Sequence, residues 1–176
     1  RLGCEILCRA PVRSLNFTGG YWEIETACGG FAAQTVVNAA GAWADEIAQL
    51  AQVRRLDIQP FRRTMIQIEV APPAPAELPL VVGLDGSFYF KPDAGGRLWL
   101  SPHDEIATPP CDAAPEELEV ALALDRFERV VDWKVVRIER KWAGLRSFAP
   151  DRKPVIGRDT RNEQFFWLAG QGGFGI

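Results

Sequence analysis

Arg146 stands in Trp142-Ala143-Gly144-Leu145-Arg146-Ser147-Phe148, just after an apolar-aromatic strand pattern. A guanidinium beside glycine and aromatic residues can hold a carboxylate through two parallel hydrogen bonds in a partly dry site. A salt bridge to Asp151 is the plainer use of the same side chain. Tyr89 and His103 flank an expected hairpin, and His103 is the single histidine of the chain. Histidine is the side chain whose unperturbed titration falls near neutrality. One histidine without a nucleophile elbow supports no Ser–His–Asp arrangement. The four cysteines, Cys4, Cys8, Cys28 and Cys111, form no C-x-x-C pair and build no zinc spacing with a lone histidine. They are expected to be buried, reduced thiols of a cytosolic protein.

Two small-residue segments form a second group of candidates. Ala39-Ala40-Gly41 lies between an apolar strand pattern and a helix start, where small side chains admit a ligand close to the backbone. Tight helix–sheet packing uses the same residues. Residues 170–175 contain Gly170, Gly172, Gly173 and Gly175. That density suggests amide groups turned toward a bound group, with a flexible tail as the plainer reading. No Lys or Ser/Thr follows, which excludes a Walker phosphate loop.

The elements that must position these residues read as short strands with few helices. Residues 5–12 form an expected first strand, and residues 16–20 a turn. Residues 21–26 alternate strictly, with Trp22, Ile24 and Thr26 on one side. Gly29-Gly30 turns the chain into a strand over residues 31–37, completing an antiparallel meander. A helix follows, with Trp43, Ile47 and Leu50 as its apolar stripe. Residues 56–70 read as extended with a bend at Pro60, and residues 71–75 as a Pro-rich breaker. Strands are expected over residues 80–84, 88–90 and 97–101. Pro115 and the acidic Glu116-Glu117 open a second helix with Leu118, Leu122 and Phe127 on its apolar face. Alternation over residues 135–140 and short apolar runs at 155–157 and 165–169 give the last strands. The fold class is therefore α+β, mostly antiparallel sheet with two main helices, not regular βαβ alternation.

Composition narrows the function classes. Twenty Lys+Arg against 23 Asp+Glu leave a net charge of −3, with neither half strongly basic, so the electrostatic footprint of a nucleic-acid binder is missing. No apolar run approaches the roughly 18 residues of a membrane span, and no signal segment opens the chain. These features are expected of a soluble, cytoplasmic protein. The chain starts at Arg1 without a Met and stops on its glycine run, so it is expected to be a fragment of a longer protein.

Taken in order, these segments resemble the FAD-dependent D-amino acid oxidase/dehydrogenase family, which includes glycine oxidase, sarcosine oxidase and D-amino acid dehydrogenase. The carriers are the meander leading into Val36-Val37-Asn38-Ala39-Ala40-Gly41-Ala42-Trp43-Ala44, then Trp142-Ala143-Gly144-Leu145-Arg146 with Pro150-Asp151-Arg152-Lys153-Pro154-Val155-Ile156-Gly157, then residues 170–175. The resemblance implies a partial FAD-binding lobe over residues 1–55, a substrate-binding lobe over 56–143 and a truncated return to the FAD lobe over 144–176. It implies FAD as cofactor of the full-length protein, with Val12 near the adenine and Ala39, Ala40, Gly41 and Trp43 around the adenosine and pyrophosphate. Gly172, Gly173, Phe174 and Gly175 are implied to face the flavin. Arg146 is implied to grip a substrate carboxylate, and Tyr89 and His103 to orient the substrate.

Departures qualify the resemblance. The family's N-terminal strand–GxGxxG–helix does not precede the meander, and no helix follows the glycine loop. The fragment is accordingly expected to lack FAD and activity by itself, its partner being the missing FAD-binding portion of its own chain. Ser147 follows Arg146 where the family often has Pro. Arg62-Arg63 replaces the family's frequent Arg-Gly, and an extra cation there suits a dicarboxylate or a hydroxyacid. The implied reaction is hydride transfer to flavin from an amino acid or N-substituted amino acid. A 2-hydroxyacid or glycerol-3-phosphate dehydrogenase of the same fold, and a non-catalytic binding subunit, are the alternatives.

Overall fold

In the computed structural model, which describes residues 3–174, β1 (Val12–Thr18) and β2 (Tyr21–Thr26) pair antiparallel across Gly19-Gly20. Both glycines lie at positive φ, 59° and 86°, which a two-residue turn matched to strand twist requires. This pairing moves the first strand from the expected residues 5–12 to β1. Residues 3–9 are exposed and unpaired by strand, including Ile6 and Leu7, because Val12 is the first residue to find a register partner, Thr26. The expected strand over residues 31–37 is two strands in different sheets. β3 (Gly29–Ala33) completes the antiparallel meander, and β4 (Val36–Asn38) runs parallel to β12 (Phe165–Ala169), beside β11 (Val155–Arg158).

The chain divides into two compact units, Arg1–Gln59 with Ser147–Ile176, and Pro60–Arg146. In the first unit, Trp22, Phe165 and Trp167 fill the core with Leu15, Ile58 and the alanines of α1 (Ala44–Leu50). The Trp22 indole N–H donates to the Gln164 carbonyl at 3.0 Å, so its burial leaves no donor unpaired. The face of α1 that is buried differs from the expected stripe. Ala44, Asp45 and Ala48 are buried, whereas Trp43 is 43% exposed. Small side chains let the helix lie close to the sheets, with Ile47 of the expected stripe packed at the edge of the core and Trp43 and Leu50 turned outward. Asp45 accepts from the amides of Leu56 and Ile58, both at 2.9 Å, and so fixes the chain that leaves the helix.

The second unit is built on β5 (Gln59–Ala71), a 13-residue strand. The sheet order is β10-β5-β8-β7-β6, with β6 (Val81–Val82), β7 (Tyr89–Asp93), β8 (Arg97–Ser101) and β10 (Lys134–Phe148), and β9 (Ile106–Ala107) also pairs β5. The expected strand at 80–84 shrinks to the two residues of β6, since Leu84 projects fully into solvent beside the Asp85-Gly86 turn. β10 merges the expected strand at 135–140 with the Trp142–Arg146 segment. Side chains alternate across strands, and one face of the sheet carries Ile66, Ile68, Phe90, Leu98 and Leu100. Against it packs α2 (Glu117–Glu128) through Val120, Ala123 and Phe127. Leu118, expected on that face, is exposed, because the buried i, i+3, i+7 stripe starts at Val120. Phe127 stands edge-on to Phe90 with ring centroids 5.1 Å apart, a geometry that adds to the burial of both rings.

The cysteines are free, and Cys4, Cys8 and Cys28 are exposed. They sit in the exposed N-terminal segment and the β2–β3 turn, so the expectation of buried thiols is corrected. Among the described residues no cluster of His, Cys, Asp and Glu is arranged to hold a metal. None of the helices is long and apolar enough to cross a membrane.

Candidate functional site

The second face of the Pro60–Arg146 sheet mixes charged and aromatic residues, the edge-on pair Trp99 and Trp142 among them. Arg63 and Met65 project there from β5, Tyr89 from β7 and Arg146 from β10. The Tyr89 hydroxyl donates to Met65 Sδ at 3.2 Å, and its ring stands edge-on to His103 at 5.4 Å between centroids. The structure thereby brings together Tyr89 and His103, two of the three residues singled out in the sequence for substrate chemistry. His103 has φ +57°, a left-handed conformation uncommon for a non-glycine residue. Its amide donates to Ser101 Oγ at 3.1 Å, and its Nδ1 bonds the Gly86 carbonyl. A carbonyl only accepts, so Nδ1 carries the proton and Nε2 of the neutral ring is left as the acceptor.

Arg63 belongs to the same group. Its side chain is only 7% exposed, with Nη2 3.5 Å from Glu105 Oε1, and its Nε and Nη1 are buried without a hydrogen-bond partner. Burial, followed by the like charge of Arg146, holds its pKa below the ordinary arginine value, with Tyr89, Asp104 and Glu105 opposing. Sequence reading reached the Arg62-Arg63 pair without separating its members, because alternation says only that they face opposite ways.

Arg62 goes to the other face. It pairs with Glu116, whose hydrogen bond raises the Arg62 pKa most strongly and lowers that of Glu116. Asp104 lies 3.8 Å from Arg62 Nε. The Asp104 carboxylate accepts from the Thr64 amide at 2.7 Å and the Thr64 hydroxyl at 2.8 Å, anchoring the loop that carries His103 to β5. Asp104, missed in the sequence, carries no local signal: its partner lies 40 residues away.

The residues expected around FAD lie in the other unit. β4 and β12 are parallel neighbours in register Val36–Phe165 to Asn38–Trp167, so the segments leaving their carboxyl ends emerge on the same side. These are Ala39, Ala40, Gly41 and Trp43 after β4, and Gly172, Gly173 and Phe174 after β12. Ligands of open sheets with parallel strands gather at such carboxyl ends. Asn38, buried, ties the first segment down: its Nδ2 donates to the Ala44 carbonyl at 2.8 Å and its Oδ1 accepts from the Ala40 amide at 3.3 Å. Gly41 has φ +56°, and the space where a Cβ would sit is open. That opening fits the close approach of a nucleotide to the backbone.

The glycine loop is tighter. The Gly172 amide donates to the Ser147 carbonyl and the Phe174 amide to the Gln171 carbonyl, both at 2.8 Å. A Cβ on Gly172 would run into the Phe148 ring. The Gly172 amide is therefore engaged by the end of β10 and the Phe174 amide within the turn. The glycines at 170, 172 and 175 stand at G-x-G-x-x-G spacing, and Gly175 lies outside the described residues. Val12 opens β1 in the meander sheet and packs on the first unit's core.

The family described as DAO, FAD dependent oxidoreductase, matches the chain over residues 1–176. The chain belongs to that family. Mouse dimethylglycine dehydrogenase is 27% identical over 195 residues, covering 95% of this chain and 21% of that protein. Among solved structures, the L-proline dehydrogenase of P. horikoshii superposes with a TM-score of 0.78 at 22% identity, over 93% of this chain and 44% of that one. The glycine oxidase of Geobacillus kaustophilus gives 0.75 at 24% identity, over 93% and 43%. The chain thus spans about a fifth of the mitochondrial relative and under half of each DAO-like structure. The α+β architecture with mostly antiparallel sheets is the fold of these neighbours.

Proposed function

We propose that this chain supplies the substrate-binding unit and part of the FAD-holding unit of an oxidoreductase that oxidises the C–N bond of an amino acid or N-substituted amino acid. The observation that carries the reading is Tyr89 standing edge-on to His103, with Arg63 close enough to Arg146 and Tyr89 to feel their charges. The names of the relatives, a dimethylglycine dehydrogenase and a glycine oxidase among them, agree with a small amine bearing a carboxylate. Ala39, Ala40, Gly41 and Trp43 would hold FAD, together with Val12 and the exposed Gly173, and the pyrophosphate-binding strand–GxGxxG–helix would come from outside these residues. Bound FAD supplies the acceptor for the electron pair of the substrate α-carbon–hydrogen bond.

Arg146 binds the carboxylate and so sets which face of the α-carbon is presented. The Tyr89 hydroxyl, held in the free protein only by a weak thioether acceptor, turns to the carboxylate or amine. His103 Nε2 accepts a proton from the substrate ammonium, which leaves the amine lone pair free to assist loss of the α-hydrogen. The test is an anaerobic screen of the flavin-loaded full-length protein with amino acids, N-methyl amino acids and 2-hydroxy acids, following loss of flavin absorbance. Bleaching by amines supports the reading. Bleaching by hydroxy acids alone replaces it with alcohol oxidation on the same fold, and no bleaching by any of them overturns it.

A further inference from the structure

Two guanidinium groups on one sheet face call for explanation. Arg63 is more than nine-tenths buried, and its Nε and Nη1 have no hydrogen-bond partner among the described residues. Leaving charged donors unmatched in a buried place costs free energy. Glu105 meets only Nη2, at 3.5 Å, and is itself well exposed. Asp104 is turned to Thr64 and Arg62. The like charge of Arg146 adds to the cost, so this arrangement is unfavourable unless an anion joins it. One carboxylate satisfies one guanidinium through its two oxygens. A monocarboxylate on Arg146 would therefore leave the buried nitrogens of Arg63 as they are.

We infer that Arg63 is a specificity-determining residue, and that the substrate carries two carboxylates, one for Arg146 and one for Arg63. This rests on the reading of Arg146 as the carboxylate anchor given above. A dicarboxylic amine satisfies both cations and exchanges their repulsion for two attractions. Its neutral or singly charged analogue leaves Arg63 buried and unmatched. Discrimination by a polar group left unpaired exceeds what a hydrophobic contact achieves.

The experiment compares glutarate with butyrate, two acids of similar reach that carry no oxidisable amine. Binding to the flavin-loaded protein is measured by calorimetry, which is independent of turnover. Glutarate is expected to bind at least about tenfold more tightly. In Arg63→Met that preference falls to within about twofold, and Arg63→Lys keeps part of it. Equal affinity of the two acids for the wild-type protein overturns the inference without need of any variant. So does an Arg63→Met protein that loses both acids by the same factor, since Arg63 would then clamp a single carboxylate or only shape the site. A protein that oxidises monocarboxylic amines but shows no preference keeps the proposed reaction and loses the dianion site. One that prefers glutarate yet oxidises no amine keeps the site and loses the reaction.

Discussion

Arg62 and Arg63, consecutive on β5, are buried on opposite faces of one sheet: Arg62 pairs with Glu116, whereas Arg63 shares its face with the like-charged Arg146. The first contributes to holding α2 against the sheet, because Glu116 is the residue that immediately precedes that helix. The second faces the side where Tyr89 and His103 meet. Two adjacent residues of one type thus separate onto opposite faces through the period of two alone, one into an ion pair with Glu116 and the other toward the side of Tyr89.

Acid should weaken the Arg62–Glu116 link. The hydrogen bond from Arg62 holds the Glu116 pKa below its ordinary value, so its contribution is present above the unfolded-state pKa and is lost as pH falls through the folded one. Melting temperature is expected to decline below about pH 4.5, and Glu116→Gln to show a shallower decline over the same window. Parallel pH curves for the two proteins would remove this pair from the acid response.

Arg146→Met is expected to raise KM for the amine substrate by about a hundredfold while leaving kcat within a few fold and flavin content unchanged. The pattern follows from a carboxylate contact made equally in the ground and transition states. Steady-state kinetics beside the flavin-to-protein absorbance ratio decide it, and unchanged KM would take Arg146 out of the site.

Asp104→Ala removes both acceptors of Thr64 at a site where the aspartate side chain is only 1% exposed. Two buried donors left unpaired are expected to cost about 2–4 kcal/mol in urea unfolding. His103 is one residue away, so amine turnover should fall with it. Asp104→Asn, which retains an acceptor, should recover part of both.

Gly172→Ala and Gly41→Ala separate packing from ligand approach. Both residues have φ +56°, but only at Gly172 does a Cβ meet an aromatic ring. Gly172→Ala is expected to lower the melting temperature markedly, with loss of soluble protein. Gly41→Ala should cost only about 1 kcal/mol of backbone strain and act chiefly by reducing flavin content. Equal melting temperatures for the two variants would contradict the close contact of Gly172 with Phe148.

What the amino-acid order determined by itself is local. The strands at Tyr21–Thr26 and Arg97–Ser101 were legible because alternation and flanking glycines are properties of a few consecutive residues. The same holds for Pro115 ahead of α2. The candidate residues Arg146, Tyr89 and His103 were legible by type and, with the FAD-linked segments, by resemblance. Tertiary structure decided what depends on partners far along the chain. It chose Val12 over residue 5 as the start of β1 through pairing with Thr26, and it buried the alanine face of α1 in place of the Trp43 stripe. It also sent Arg62 to Glu116 and Arg63 toward Arg146, and bound Asp104 to Thr64 across 40 residues. Each of these outcomes is a competition for burial and hydrogen-bond partners among segments distant in sequence, and such a competition is resolved only when the strands have found their neighbours.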